Sequence, residues 1–157
     1  MIVFLSASAL WLFLASRTAM GLYIFAALPA TAAHELAHWI IALITGSSPS
    51  LPSLWPTRIA TGWQLGSVRF NPGWLSAGWV ALAPLWCLAP AAAWGVFWRT
   101  PELNDWHEML QGVLWGYVAW GSLPSSQDWL IALRYPVGTL CVLASMFMLV
   151  QGVAGTR

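Results

Sequence analysis

Ala19 to Thr45 reads AMGLYIFAALPATAAHELAHWIIALIT, and its only Asp, Glu, Lys, Arg or His residues are His34, Glu35 and His38. The stretch is long and apolar enough to cross a bilayer as one helix. The three polar residues fall together as His34-Glu35-Leu36-Ala37-His38, an H-E-x-x-H pattern. Ionisable side chains at membrane depth are costly, and where they occur they usually serve a function. This stretch therefore predicts a membrane helix that carries chemistry.

The rest of the chain supports a lipid setting. Of its 157 residues 59% are hydrophobic and 7% charged, against roughly 25% charged in soluble domains. So few charges cannot cover a water-facing surface of this size. Thirteen tryptophans add to this, because indoles favour the membrane–water interface. Many stand near segment ends: Trp55, Trp63, Trp74, Trp98, Trp106 and Trp129. The net charge is +1, from arginines without a single lysine and with no basic run, which excludes nucleic-acid binding as a reading. Cys87 and Cys141 lie in separate apolar stretches without the paired spacing of a metal or redox motif. The apolar start, Met1 to Ala15, has no basic region before it, so a retained span is favoured over a cleaved signal.

Four or five hydrophobic segments follow from this pattern, predicting a single domain over residues 1–157: an all-α, polytopic membrane helix bundle. The segments are Met1–Ser16, Ala19–Thr45, Gly73–Trp98, Trp106–Ser122 and Pro136–Val153. Gly46 ends the second, as glycine commonly does beyond a helix. Between Gly46 and Pro72 lie Pro49, Pro52 and Pro56, and the stretch reads as a loop. Within it Gly62–Phe70 (GWQLGSVRF) is rich in aromatic and β-branched residues and predicts a short strand or hairpin edge. A further short helix is expected from Asp128 to Arg134, after a break at Pro124. Arg17, Arg99 and Arg157 fall on one side of such a bundle, and Arg58, Arg69 and Arg134 on the other. The tie leaves the orientation open under the positive-inside rule.

His34 and His38 are four apart, so on a helix they share a face with Cβ atoms about 5–6 Å apart. Two imidazoles so placed reach one tetrahedral zinc at roughly 2.0–2.1 Å each. Glu35 then projects beside the metal rather than onto it, as a general base for water whose pKa zinc lowers to about 7. A catalytic zinc takes three protein ligands and keeps one open position. The third ligand must come from elsewhere: Asp128, His107, Glu108, Asp105 or Glu102. Glu102 and Asp105 sit in a short polar turn, and His107 and Glu108 begin a helix. Asp128 follows a proline break and precedes an apolar stretch, which places it slightly ahead of His107. Ser125-x-x-Asp128 also has the form of a capping box, with Asp in place of Glu or Gln. Ser122, Ser125 and Gln127 are candidates for hydrogen bonds to the metal site or to an oxyanion.

These residues resemble the site-2 protease family of intramembrane zinc metallopeptidases, in its short bacterial form. The matching elements are Thr31-Ala-Ala-His34-Glu35-Leu-Ala-His38 on an apolar helix, Gly66-Ser67-Val68 in the following loop and Ala83-Pro84-Leu85 in the next segment. The last is Leu123-Pro124-Ser125-Ser126-Gln127-Asp128. The better-known family form sets its Asp in an Asn-Pro…Asp-Gly context, from which this chain departs. The resemblance implies Asp128 as the third zinc ligand, with His34 and His38, and Glu35 as catalytic base. It implies a membrane protein or peptide as substrate, presented by a β-like loop for which Gly62–Phe70 is the counterpart. It also implies a multi-pass location in a bacterial inner (cytoplasmic) membrane. Two other readings compete: a non-proteolytic membrane protein on the same scaffold, and a zinc hydrolase of another membrane-associated amide.

Overall fold

The computed structural model describes residues 20–59, 62–87 and 105–155, with helical positions at 10, 13, 14 and 17. The Met1–Ser16 segment, the second half of Gly73–Trp98 and Glu102 thus fall largely or wholly outside the described residues.

Helix α1, Met20–Ile44, runs unbroken through Pro29. It stops in a Schellman arrangement: Ser47 N–H reaches back to Ala42 C=O at 2.8 Å and Gly46 N–H to Leu43 C=O at 3.1 Å. Gly46 takes φ +68°, which glycine adopts at no steric cost. The chain then forms a small hairpin. Strand β1, Thr57–Ile59, pairs antiparallel with β2, Gly62–Gln64, in the register Thr57↔Gln64, Arg58↔Trp63 and Ile59↔Gly62. The pairing continues irregularly through a Ser53↔Ser67 bridge, then Ser50 N–H to Arg69 C=O at 2.8 Å and Asn71 N–H to Ser47 C=O at 2.9 Å. The strand expected within Gly62–Phe70 is present, and its partner Thr57–Ile59 was not foreseen.

The third hydrophobic segment differs from expectation. Its described part is a six-residue helix, α2 (Ser76–Ala81), followed by a five-residue 3₁₀ helix, Ala83–Cys87. Pro84 has no N–H to give the Val80 carbonyl four residues back, and its ring crowds that carbonyl, so the α-helix cannot continue past Leu82. This piece is interior. Ala77, Gly78, Val80, Ala81, Leu82, Ala83 and Pro84 are all buried, packed against α1 and the last two helices.

Helix α3, Asp105–Gly121, lies along α1. A β-carbon on Gly121 would stand 2.6 Å from the carbonyl oxygen of Ala30, so glycine lets the end of α3 touch the α1 backbone. Helix α4, Ser126–Arg134, and helix α5, Pro136–Gly155, meet at Tyr135 with a bend of 108°. Pro136 forces this break, since the residue before proline is pushed out of helical geometry; Tyr135 has φ −120° and ψ 66°. The core sits where α2, α4 and α5 converge, on Ala81, Leu82, Ala132 and Val142. Gly78 and Gly138 bring α2 and α5 together backbone to backbone. A β-carbon on Gly78 would strike Thr139 N, and one on Gly138 would strike Leu75 O.

The described chain is thus mainly helical, with one two-stranded hairpin. By length and composition, one described helix is able to cross a membrane over Ala26–Ile44. The bent pair Ser126–Arg134 and Pro136–Leu149 makes a second if it counts as one span.

Candidate metal centre

Because α1 is helical through the H-E-x-x-H stretch, His34 and His38 stack one turn apart on one face, with ring centroids 4.7 Å apart. Each ring is then oriented by a carbonyl from the end of another helix. His34 Nδ1 lies 2.7 Å from Gly121 O. His38 Nδ1 lies 2.6 Å from Val80 O. Gly121 is the last residue of α3 and Val80 is in the last turn of α2. Neither carbonyl has the usual partner four residues on in its own helix; Val80 O is also met by the Leu82 N–H at the helix cap. A carbonyl only accepts, so each Nδ1 carries the proton and donates it. Both Nε2 atoms are left with lone pairs, and they point at each other across 3.1 Å.

The third group comes from the start of α4. Asp128 Oδ1 lies 3.3 Å from His38 Nε2, and Oδ2 lies 3.4 Å from His34 Nε2. With both imidazoles neutral, three acceptors converge with no donor among them, an arrangement that either a shared proton or a metal ion would satisfy. The spacing fits a metal ion. Tetrahedral ligands held at about 2.0–2.1 Å lie about 3.3–3.4 Å from one another. The three residues offer ligand atoms all within 4.8 Å, and two imidazoles with one carboxylate suit zinc with a position left open. Both imidazoles already have the second hydrogen bond that metal-ligating histidines make through the other ring nitrogen.

Ser125 has a distinct part in this. Its backbone N–H donates to Asp128 Oδ2 at 2.6 Å, while Asp128 N–H donates to Ser125 Oγ at 3.2 Å. The capping box and the carboxylate of the cluster, set against each other in the sequence, are one and the same. The reciprocal bonds hold the Asp128 carboxylate at the helix N-terminus, where the macrodipole favours negative charge.

Glu35 is buried beside the cluster, on a cleft of about 320 Å³ lined by His34, His38, Asp128, Trp63 and Gly66 among others. Gly66 lies directly on it. A β-carbon there would stand 2.7 Å from both Glu35 Cγ and Oε1, so the absence of a side chain is what admits the loop onto the carboxylate.

The other candidates separate clearly. Among the described residues, the acid, histidine and cysteine groups that gather are His34, His38 and Asp128 alone. His107 does not join them; its ring lies against Trp106 at 3.5 Å between centroids. Glu108 is not part of the cluster either, and the side chains of Glu102 and Asp105 lie outside the described residues. Ser122 turns away, donating its hydroxyl to Val118 O at 2.6 Å. Ser125 caps α4, and Gln127 lines the cleft. Sequence reasoning missed the carbonyls of Gly121 and Val80, because a backbone acceptor has no residue type to betray it. The closeness of Gly66 to Glu35 had only a weak signal, in Gly66-Ser67-Val68. No family model, no curated protein and no solved structure matches this chain.

Proposed function

We propose that this chain is an integral membrane zinc metalloprotease of the site-2 protease type, hydrolysing peptide bonds within or beside the bilayer. The observation that carries the reading is the meeting of His34, His38 and Asp128 beside the buried Glu35, on an apolar helix. The membrane setting draws support from large apolar side chains left exposed on three helices: Leu36, Ile40 and Leu43 on α1, Leu130 and Leu133 on α4, and Phe147 on α5. Apolar surface of that extent marks a partner or a lipid environment. A multi-pass arrangement, with α1 as one span, belongs to the same proposal.

His34, His38 and Asp128 would hold the zinc. Bound there, zinc would polarise the scissile carbonyl and lower the pKa of water to about 7. Glu35 takes one proton from the attacking water as its oxygen bonds to the carbonyl carbon. Glu35 then delivers that proton to the amide nitrogen as the C–N bond breaks, so the amine leaves neutral. The hairpin would hold the substrate. Ser67 turns both backbone groups to Ser53, each bond 2.9 Å. In a strand the flanking Gly66 and Val68 then direct theirs to the opposite edge, and both residues line the cleft. An extended peptide can add to that edge.

Incubating the purified protein in vesicles with a membrane-spanning peptide and, separately, with lipid amides tests the proposal. Two peptide fragments, suppressed by a chelator, are expected. Cleavage of lipid amides alone would favour the other hydrolase, and cleavage of neither would favour a non-proteolytic zinc protein.

A further inference from the structure

Next to the metal cleft lies a second hollow, of about 300 Å³, walled by Val68, Arg69, Phe70, Ile131, Arg134 and Tyr135 among others. Val68, Phe70 and Ile131 also line the metal cleft, so the two hollows adjoin along a shared wall. We propose that Arg69 and Arg134 form a subsite for an acidic side chain of the substrate, about three residues along from the bond that Glu35 addresses. This rests on the protease reading above.

The position follows from two independent rulers. Along the loop, Gly66 lies on Glu35 and Arg69 comes three residues later in an extended stretch, about 10 Å at 3.2–3.4 Å per residue. Along α4, Asp128 lies in the metal centre and Arg134 ends the helix six residues later, about 9 Å at 1.5 Å per residue. Both lengths are close to the reach of three residues of an extended peptide.

Charge supplies the specificity. Both arginine side chains are exposed, and among the described residues neither guanidinium has a carboxylate partner. The nearby carboxylates, Glu35 and Asp128, are committed to the metal centre. The Arg69 backbone is pinned on both sides, its N–H to Ser50 Oγ at 3.1 Å and its carbonyl to Ser50 N–H at 2.8 Å. Arg134 is anchored by the helix that positions Asp128. Two guanidinium groups on fixed backbones, presenting planar forks of N–H donors, match the two oxygens of a carboxylate.

The test is a set of membrane-spanning peptides in zwitterionic vesicles. Each carries a single Asp moved stepwise through the residues flanking the scissile bond, and each is paired with its Asn counterpart. In the unaltered chain kcat/KM for Asp over Asn should peak at roughly three- to tenfold three residues from the cut, mostly through KM, and shrink with added salt. In R69Q and R134Q the ratio should fall toward one. Because the ratio is read within each variant, any loss of folded protein cancels. A ratio near one at every position in the unaltered chain, with cleavage intact, would overturn the subsite and leave the protease standing. So would a preference that survives in both variants. An effect of the arginines seen only in vesicles containing anionic lipid would overturn it in favour of a headgroup site. Failure to cleave any peptide would remove the protease reading and the subsite with it.

Discussion

The two halves of the candidate metal centre are built in different ways. His34, Glu35 and His38 stand within one turn of the unbroken α1, so their relative placement is set by local helix geometry. The groups that face them all come from places where helices stop or start. Gly121 closes α3, Val80 lies in the last turn of α2, and Asp128 is three residues past the N-cap of α4. Helix ends carry unsatisfied backbone groups and partial charges, and here those ends orient the two imidazoles and hold the carboxylate. The continuous half is robust to events elsewhere in the fold. The other half exists only when α2 and α3 are packed correctly against α1, and α4 against α2.

The contrast can be broken most severely at Glu35, the proposed general base. Glu35→Gln removes a proton carrier from the continuous half while leaving its ligands in place. Peptide cleavage should fall by roughly 10²–10⁴-fold with zinc content unchanged. Full activity in that variant would rule out Glu35 as the base.

Gly66→Ala sharpens the contrast from the loop side. Its new methyl would stand 2.7 Å from Glu35 Cγ and Oε1, so the carboxylate or the loop must move. A displacement of that size should lower kcat by roughly ten- to a hundredfold while zinc remains bound. Loss of zinc instead would mean that the loop supports the ligands rather than the base.

Ser125→Ala probes the half built from helix ends. It removes the hydroxyl that caps α4, at a cost of about 1 kcal/mol in thermal stability. The Ser125 N–H to Asp128 contact, being backbone, is kept. Zinc affinity should weaken by no more than about tenfold, the lower range for groups behind the ligands. Titration with a competing chelator measures this.

The same division decides what could be read from the sequence. The α1 half was legible because an i, i+4 spacing inside an apolar run has one helical outcome. Asp128 was legible only as the leading member of a group, since nothing local to Ser125-Ser126-Gln127-Asp128 says what lies opposite it. Gly121 and Val80 were not legible at all, because they act through carbonyls. In the fold, Gly46 and Pro136 marked real helix boundaries. Gly73–Trp98 read as one hydrophobic segment because its residues are apolar, yet apolarity is shared by a lipid-facing helix and a buried one. The described part is a short interior helix and a 3₁₀ turn, broken at Pro84. Thr57–Ile59 escaped notice because three residues are too few to show alternation.

The most direct test of a metal held between the two halves is the zinc content of purified Asp128→Ala and His107→Ala variants, measured alongside the unaltered chain. The unaltered chain and His107→Ala should each retain one zinc, and Asp128→Ala should lose it. A full complement of zinc in Asp128→Ala, or its loss in His107→Ala alone, would contradict the centre formed by His34, His38 and Asp128.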